Sequence, residues 1–227
     1  MKSVFLQEMT REEFRELIDE HKLRVMIVLT GSIEQHYEHL AMVYDTAAVT
    51  AIAELAAQRL FPKVVVTPPL VFGVSEHWMG SEFRAGTLSA RPNVFQEILF
   101  DICHSLQRHG VRNILILNGH GGNRESIATK LPELRERLGI KVSFHSYWGL
   151  IPKSVIKETL LKEESAGHAG EFETSMALYL FPERVRKDKI VSENAKLATV
   201  EKGDRLFKAA VDSLVSFLEG EIAMLET

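Results

Sequence analysis

Asn113-Ile114-Leu115-Ile116-Leu117-Asn118-Gly119-His120-Gly121-Gly122-Asn123 reads as a buried strand, a glycine-rich turn and the start of a helix. The apolar run over 113–117 is too short for a helix and rich in strand formers, so it predicts a strand buried on both faces. A helical pattern then runs from Asn123 to Leu138, where Gly139 stops it; Pro132 predicts a kink. Strand, tight turn and helix in succession are the first half of a parallel crossover unit.

The same alternation extends in both directions. Arg24 to Thr30 predicts a buried strand stopped by Gly31, Val64 to Thr67 a second ended by Pro68-Pro69, and Val142 to His145 another. Thr10-Arg11-Glu12-Glu13 is a capping box that opens a short amphipathic helix to His21. Further helices are predicted over Thr46–Leu60, Asn93–His109 (with Gly110 as its terminator), Pro152–Glu163, Glu171–Phe181 and Asp204–Leu225. Residues 70 to 92 form a long irregular stretch, and loops of that length in compact proteins are often functional. Together these predict an α/β fold with a mainly parallel sheet covered by helices on both faces. No repeat, linker or low-complexity tract interrupts residues 1–227, so a single domain is expected.

A hydrophobic fraction of 45% and a charged fraction of 26% are those of a soluble globular protein. The formal net charge is −4 and no basic stripe is present, which speaks against nucleic acid and anionic membranes as partners. No apolar run reaches transmembrane length. The N-terminal stretch turns charged too early for a signal peptide. The single cysteine, Cys103, has no intrachain disulfide partner, as in a reducing compartment, and a cytoplasmic location is expected.

Three short clusters carry metal-ligand chemistry. Glu34-Gln35-His36 follows a strand and leads to Asp45; His120 sits in the glycine turn; His168 and Glu171 stand at the start of a helix. Open α/β sheets build their sites where such strand ends and helix starts meet. Imidazoles and carboxylates together suit a divalent first-row metal: zinc, manganese or iron. Glu34 and His36, two apart in extended chain, project from one face and can reach one ion, and Asp45 can add a carboxylate that bridges two. Asp45 before a helix is equally a good N-cap, and Glu171 and Glu173 in a first turn suit the helix dipole. Glu173 is read as structural. His168 is a general acid or base candidate because its reference pKa lies near neutrality. His77 on the long loop, Tyr37, Gly121, Gly122 and Trp148 are the substrate-binding candidates; His39, His104, His109 and His145 carry no local context. The glycine turn also admits an anion-site reading, but it lacks nucleotide-loop spacing and lysine.

GSIEQHYEHLAMVYDT (31–46), LNGHGGNRES (117–126) and GHAGEFETS (167–175) together resemble the creatininase family of metal-dependent amidohydrolases, with Gly86-Thr87-Leu88-Ser89 as a further segment. The resemblance implies a three-layer α/β/α fold, a centre of two divalent ions with a bridging carboxylate, and a homo-oligomer, commonly a hexamer. It implies Glu34, His36, Asp45 and His120 as metal ligands. Two departures stand out. Creatininase proper carries a ligand glutamate where this chain has Gly122, and Glu171 is expected to supply that carboxylate, as in a deformylase-like branch. Tyr37 and Glu38 replace the family's usual Gly-Pro and should reshape the pocket.

The expected activity is hydrolysis, by metal-activated water, of a C–N bond in a small-molecule amide or formamide, with His168 giving a proton to the leaving nitrogen. Cyclic-amide hydrolysis and cleavage of a short peptide tail are the alternatives within the family. Outside it stand a two-metal phosphoesterase, a catalytically silent metal- or ligand-binding member and a nucleotide-binding module.

Overall fold

The computed structural model describes residues 3–80 and 85–226. Its helices and strands alternate: α1 (Arg11–Asp19), β1 (Val25–Thr30), α2 (Tyr44–Leu60), β2 (Val64–Val66), α3 (Glu76–Met79), α4 (Pro92–Arg108), β3 (Asn113–Asn118), α5 (Asn123–Leu138), β4 (Lys141–Ser146), α6 (Lys153–Thr159), α7 (Glu171–Leu180) and α8 (Val200–Glu226). The four strands are all parallel, in the order β2-β1-β3-β4.

Strand alternation divides the interior into two layers. Val25, Ile27 and Leu29 of β1 and Leu115 and Leu117 of β3 pack with α2, α7 and α8. Met26, Val28, Ile114 and Ile116 point the other way, towards α1, α4 and α5. Both faces of β1 and β3 are therefore buried, which explains their continuous apolar runs. In α2, Ala48, Ala53, Ala56 and Ala57 are fully buried, and their small side chains let the sheet and α8 approach closely.

α1 starts with the expected capping box: Glu13 N donates to Thr10 Oγ1 (3.3 Å) and Thr10 N to Glu13 Oε2 (2.8 Å). Thr10→Ala should cost about 1 kcal/mol in urea denaturation, the usual worth of such a cap. Gly110 ends α4 in the left-handed region (φ +98°), and Gly139 ends α5 likewise (φ +59°). Three elements differ from expectation. α6 stops at Thr159, because the chain must turn there to meet α7. α8 begins at Val200, four residues before Asp204. The irregular stretch contains α3, and its residues 81–84 lie outside the described residues. No helix among the described residues is long and apolar enough to cross a membrane.

Chain order makes the point between β1 and β3 a switch: β1 leads to β2 on one side, β3 to β4 on the other. A crevice forms at the carboxyl ends of strands at such a point.

Candidate metal centre

Three segments meet at that crevice. Asn118, the last residue of β3, is a buried hub. Its Oδ1 accepts from Thr30 Oγ1 (3.0 Å), His120 N (3.1 Å) and Asn123 Nδ2 (3.1 Å), and its Nδ2 donates to the His120 carbonyl (2.6 Å). Asn123 also donates to the Gly31 carbonyl (3.0 Å) and accepts from Val74 N (2.8 Å), which ties β1's end, the 70s loop and α5 together. Gly119 is required by proximity: a Cβ there would lie 2.3 Å from the Asp45 carbonyl oxygen. That contact is what seats His120 beside α2.

Asp45 lies inside the first turn of α2, and Val43 precedes the helix without any side-chain cap bond. Its carboxylate does not cap the helix; it points at two histidines. Oδ2 is 2.8 Å from His120 Nδ1, and Oδ1 is 3.2 Å from His36 Nε2. The helix dipole supports a carboxylate at this end.

Two triads share this aspartate. One is His36, Asp45 and Glu173; the other is Glu34, Asp45 and His120, each with ligand atoms within 4.8 Å of one another. His36 Nε2 lies 3.6 Å from Glu173 Oε2, and His120 Nδ1 lies 3.5 Å from Glu34 Oε1. Atoms bound to one ion at about 2.1 Å stand about 3.4 Å apart, so these separations suit a common ion. Each histidine has an outward acceptor for one ring N–H: His36 Nδ1 is 3.1 Å from the Glu34 carbonyl and His120 Nε2 is 3.0 Å from the Val74 carbonyl. His36 Nε2 and His120 Nδ1 face the acids and would be the atoms to meet an ion. His36 Nε2 and Glu34 Oε2 are buried without a hydrogen-bond partner among the described residues; His36 faces Asp45 closely.

The electrostatics show how strongly these groups are coupled. Burial opposes a charge on His36, yet Asp45 and Glu173 outweigh it and hold the imidazole up at about 10. Burial would raise Asp45 too, but His36 and His120 bring it down to about 2. Glu173 is pushed up to about 8 by burial, with His36 pulling the other way and Asp45 adding to the rise. Burial also raises Glu34. Among the described residues no lysine or arginine pairs with these three acids. Buried carboxylates with only histidines to neutralise them fit a divalent cation.

His168 sits over the pair, its Nδ1 3.5 Å from Glu34 Oε1. Trp78 stacks on it (4.5 Å between ring centroids), and Tyr37 meets it edge-on (5.5 Å). Burial, then the neighbouring His36, hold its imidazole down at about 3. α3 brings His77 alongside His120, the rings nearly parallel at 6.3 Å. A cavity of about 400 Å³ opens beside this group, lined by Gln35, Tyr37, Glu38, Leu40, Met42 and Arg186 among others. A larger groove of about 620 Å³ between α1 and α4 contains none of the clustered residues, so size alone does not locate the site.

The structure thus brings Glu34, His36, Asp45, His120, His168, His77 and Tyr37 to one place. Gly121 and Gly122 turn beside His120, and a Cβ at Gly122 would lie 2.0 Å from the Val74 carbonyl oxygen. Glu171 is not brought there. Its carboxylate faces away and accepts from Leu161 N (3.0 Å), Lys162 N (3.2 Å) and Lys202 Nζ. Two residues along a helix point to nearly opposite sides, so it is Glu173 that faces the centre. Trp148 packs edge-to-face on Tyr147, whose hydroxyl lies 3.4 Å from that of Tyr44. Glu173, read from the sequence as structural, instead joins His36 and Asp45, and Gln35, Trp78 and His39 were not singled out. His39 reaches Thr174 Oγ1 (3.0 Å), which donates to the Ala169 carbonyl (3.4 Å), and so steadies the turn carrying His168. The Gly86–Ser89 segment buttresses the site through Thr87 Oγ1, which accepts from Gln35 N, and Ser89 Oγ, which accepts from Ser75 N.

Fold and site together define an α/β protein with a carboxylate–histidine centre at the carboxyl ends of a parallel sheet. The profile of the creatininase family (creatinine amidohydrolase) matches residues 7–196, and the chain belongs to this family. It is 29% identical to a creatinine amidohydrolase of Pseudomonas putida, over 97% of this chain and 98% of that one. It is 31% identical to a mycofactocin precursor peptide peptidase of Mycolicibacterium smegmatis, over 75% of this chain and 63% of that one. A 3-dehydro-scyllo-inosose hydrolase of Thermotoga maritima is 29% identical over 85% and 61% of the two chains. A crystal structure of creatininase superposes with a TM-score of 0.89 at 25% identity, covering 98% of this chain and 99% of the other. A manganese form of creatininase does so with 0.85 at 28% identity, covering 97% and 99%.

Proposed function

We propose that this chain hydrolyses a C–N bond other than an ordinary peptide bond, in a linear amide or formamide of a small molecule, using two divalent ions. The observation that carries this reading is Asp45, whose two oxygens face the two triads separately. His36 and Glu173 would complete one position, Glu34 and His120 the other. Zinc, manganese and iron all suit such mixed nitrogen and oxygen donors. A divalent ion held there supplies Lewis acidity, which brings the pKa of a water towards neutrality and polarises a carbonyl.

The chain's own residues do the rest. Trp78 and Tyr37 lie against His168 and His77 beside His120, so these three would line the approach to the centre. His168 faces Glu34 through Nδ1 and holds a proton there, beside the place where a leaving nitrogen needs one. His168 would pass its Nδ1 hydrogen to the leaving nitrogen and take back at Nδ1 the one that the attacking water loses, so no outside proton is needed. Creatinine is not the proposed substrate, because Gly122 stands where creatininase proper carries a glutamate, and a Cβ there would lie 2.0 Å from the Val74 carbonyl oxygen. Cleavage of a short peptide tail is the second reading, favoured by the likeness to the mycofactocin peptidase and by the open cavity beside Gln35. A small-molecule substrate, a cytoplasmic location and a homo-oligomer belong to the same proposal.

Screening formamides, linear amides and short peptides against metal-loaded protein tests it. Turnover of the first two classes supports the reading, and turnover of peptides alone selects the second. His168→Ala should lower turnover by about 10²–10⁴-fold, the range for a proton-transfer group, with metal content unchanged. Equal loss of metal and turnover would make His168 a ligand.

A further inference from the structure

We propose that Gln35 is a positioning residue that holds the ring proton of His168 on Nδ1, aimed at Glu34 and the metal centre. The inference rests on the preceding reading in giving His168 a part in the reaction. It follows from which atoms can donate. Tyr37 N lies 2.9 Å from Gln35 Oε1, and a backbone N–H can only donate, so the oxygen end of the Gln35 carboxamide must face Tyr37. The NH2 end then faces His168, with Gln35 Nε2 2.9 Å from His168 Nε2. That NH2 also only donates, so His168 Nε2 must offer its lone pair. The single hydrogen of the neutral ring is left on Nδ1, and Nδ1 is the atom 3.5 Å from Glu34 Oε1.

Nothing in this arrangement is loose. Gln35 is buried at 5% exposure, and its own N–H donates to Thr87 Oγ1 (3.1 Å). The His168 ring is held between Trp78 on one side and His36 (4.6 Å) and Tyr37 on others. Tyr37 adopts a left-handed backbone (φ +51°), which a tyrosine disfavours. Its N–H reaches back to the side chain two residues earlier, and that bond sets the direction of the carboxamide. Reversing the carboxamide would set donor against donor at Tyr37. The order of dependence runs from the Tyr37 N–H to the Gln35 carboxamide to the His168 tautomer.

The test is the tautomer itself, read by 15N NMR of zinc-loaded protein with labelled histidine, His168 being assigned by comparison with His168→Ala. The parent protein should show a protonated Nδ1 and an unprotonated Nε2 at His168. Gln35→Glu, which keeps the size but offers only acceptors, should move the proton to Nε2. It should also lower kcat on a small formamide at least thirtyfold, with KM and zinc content within twofold of the parent. Gln35→Leu should give a mixture of tautomers and an intermediate kcat. A parent His168 protonated on Nε2, or a tautomer unchanged by Gln35→Glu, would overturn the proposal. The expected tautomer in a protein that cleaves no amide would leave Gln35's role standing and remove the hydrolase reading instead.

Discussion

Replacing Asp45 with alanine is expected to empty both metal positions at once. Protein purified without chelator should carry one to two equivalents of metal by mass spectrometry, and the Asp45→Ala variant less than about 0.2. The reason is geometric. Oδ1 faces His36 and Oδ2 faces His120, so a single carboxylate serves both triads. Without it each position keeps only two side-chain ligands, and catalytic sites of this kind ordinarily need three. Turnover should fall at least about a thousandfold, equivalent to about 4 kcal/mol in the barrier. Glu34→Ala supplies the contrast, since it removes a ligand from one triad and should leave metal in the other. Two equivalents retained in Asp45→Ala would sink the shared-carboxylate reading.

The second large effect separates two glutamates that stand two residues apart. Glu173→Gln should lower metal occupancy on the His36 side and reduce turnover by about 10²–10³-fold, with little change in melting temperature, on the scale of other lost electrostatic contacts. Glu171→Gln should do the reverse. Glu171 is fully buried and holds Leu161 N, Lys162 N and Lys202 Nζ, which pins the end of α6 and the start of α8 to α7. Removing its charge leaves Lys202 without its carboxylate, and a loss of about 3 kcal/mol is expected, the lower end for one member of a buried pair. Metal content in the folded fraction should stay at the parent level. Calorimetry beside metal analysis distinguishes the two, and metal loss in Glu171→Gln with normal stability would reverse the assignment.

These two residues also show where sequence reading stops. In an amphipathic helix the apolar stripe reveals which side faces inward, but every residue of α7 from Glu171 to Leu178 is buried. With no exposed side, the sequence carries no phase, and the position of Glu171 at the helix start made it the natural candidate. Asp45 was legible as cap or ligand, and only the start of α2 at Tyr44 removed the first choice.

What could be read from residue order alone was local: the strands at β1 and β3 from their apolar runs, the helix ends at Gly110 and Gly139, the capping box at Thr10, and the gathering of Glu34, His36, Asp45 and His120 near strand ends. All but the last depend on neighbours within a few positions, where periodicity and turn chemistry act; the gathering of the four ligands was implied by the family resemblance. The choice of Glu173 over Glu171, the Gln35–His168 contact across 133 residues, and the support of His39 through Thr174 were settled only by packing. Those contacts depend on how a buried helix is rotated and on which distant loops touch. Interior close packing sets both, and no local pattern encodes them.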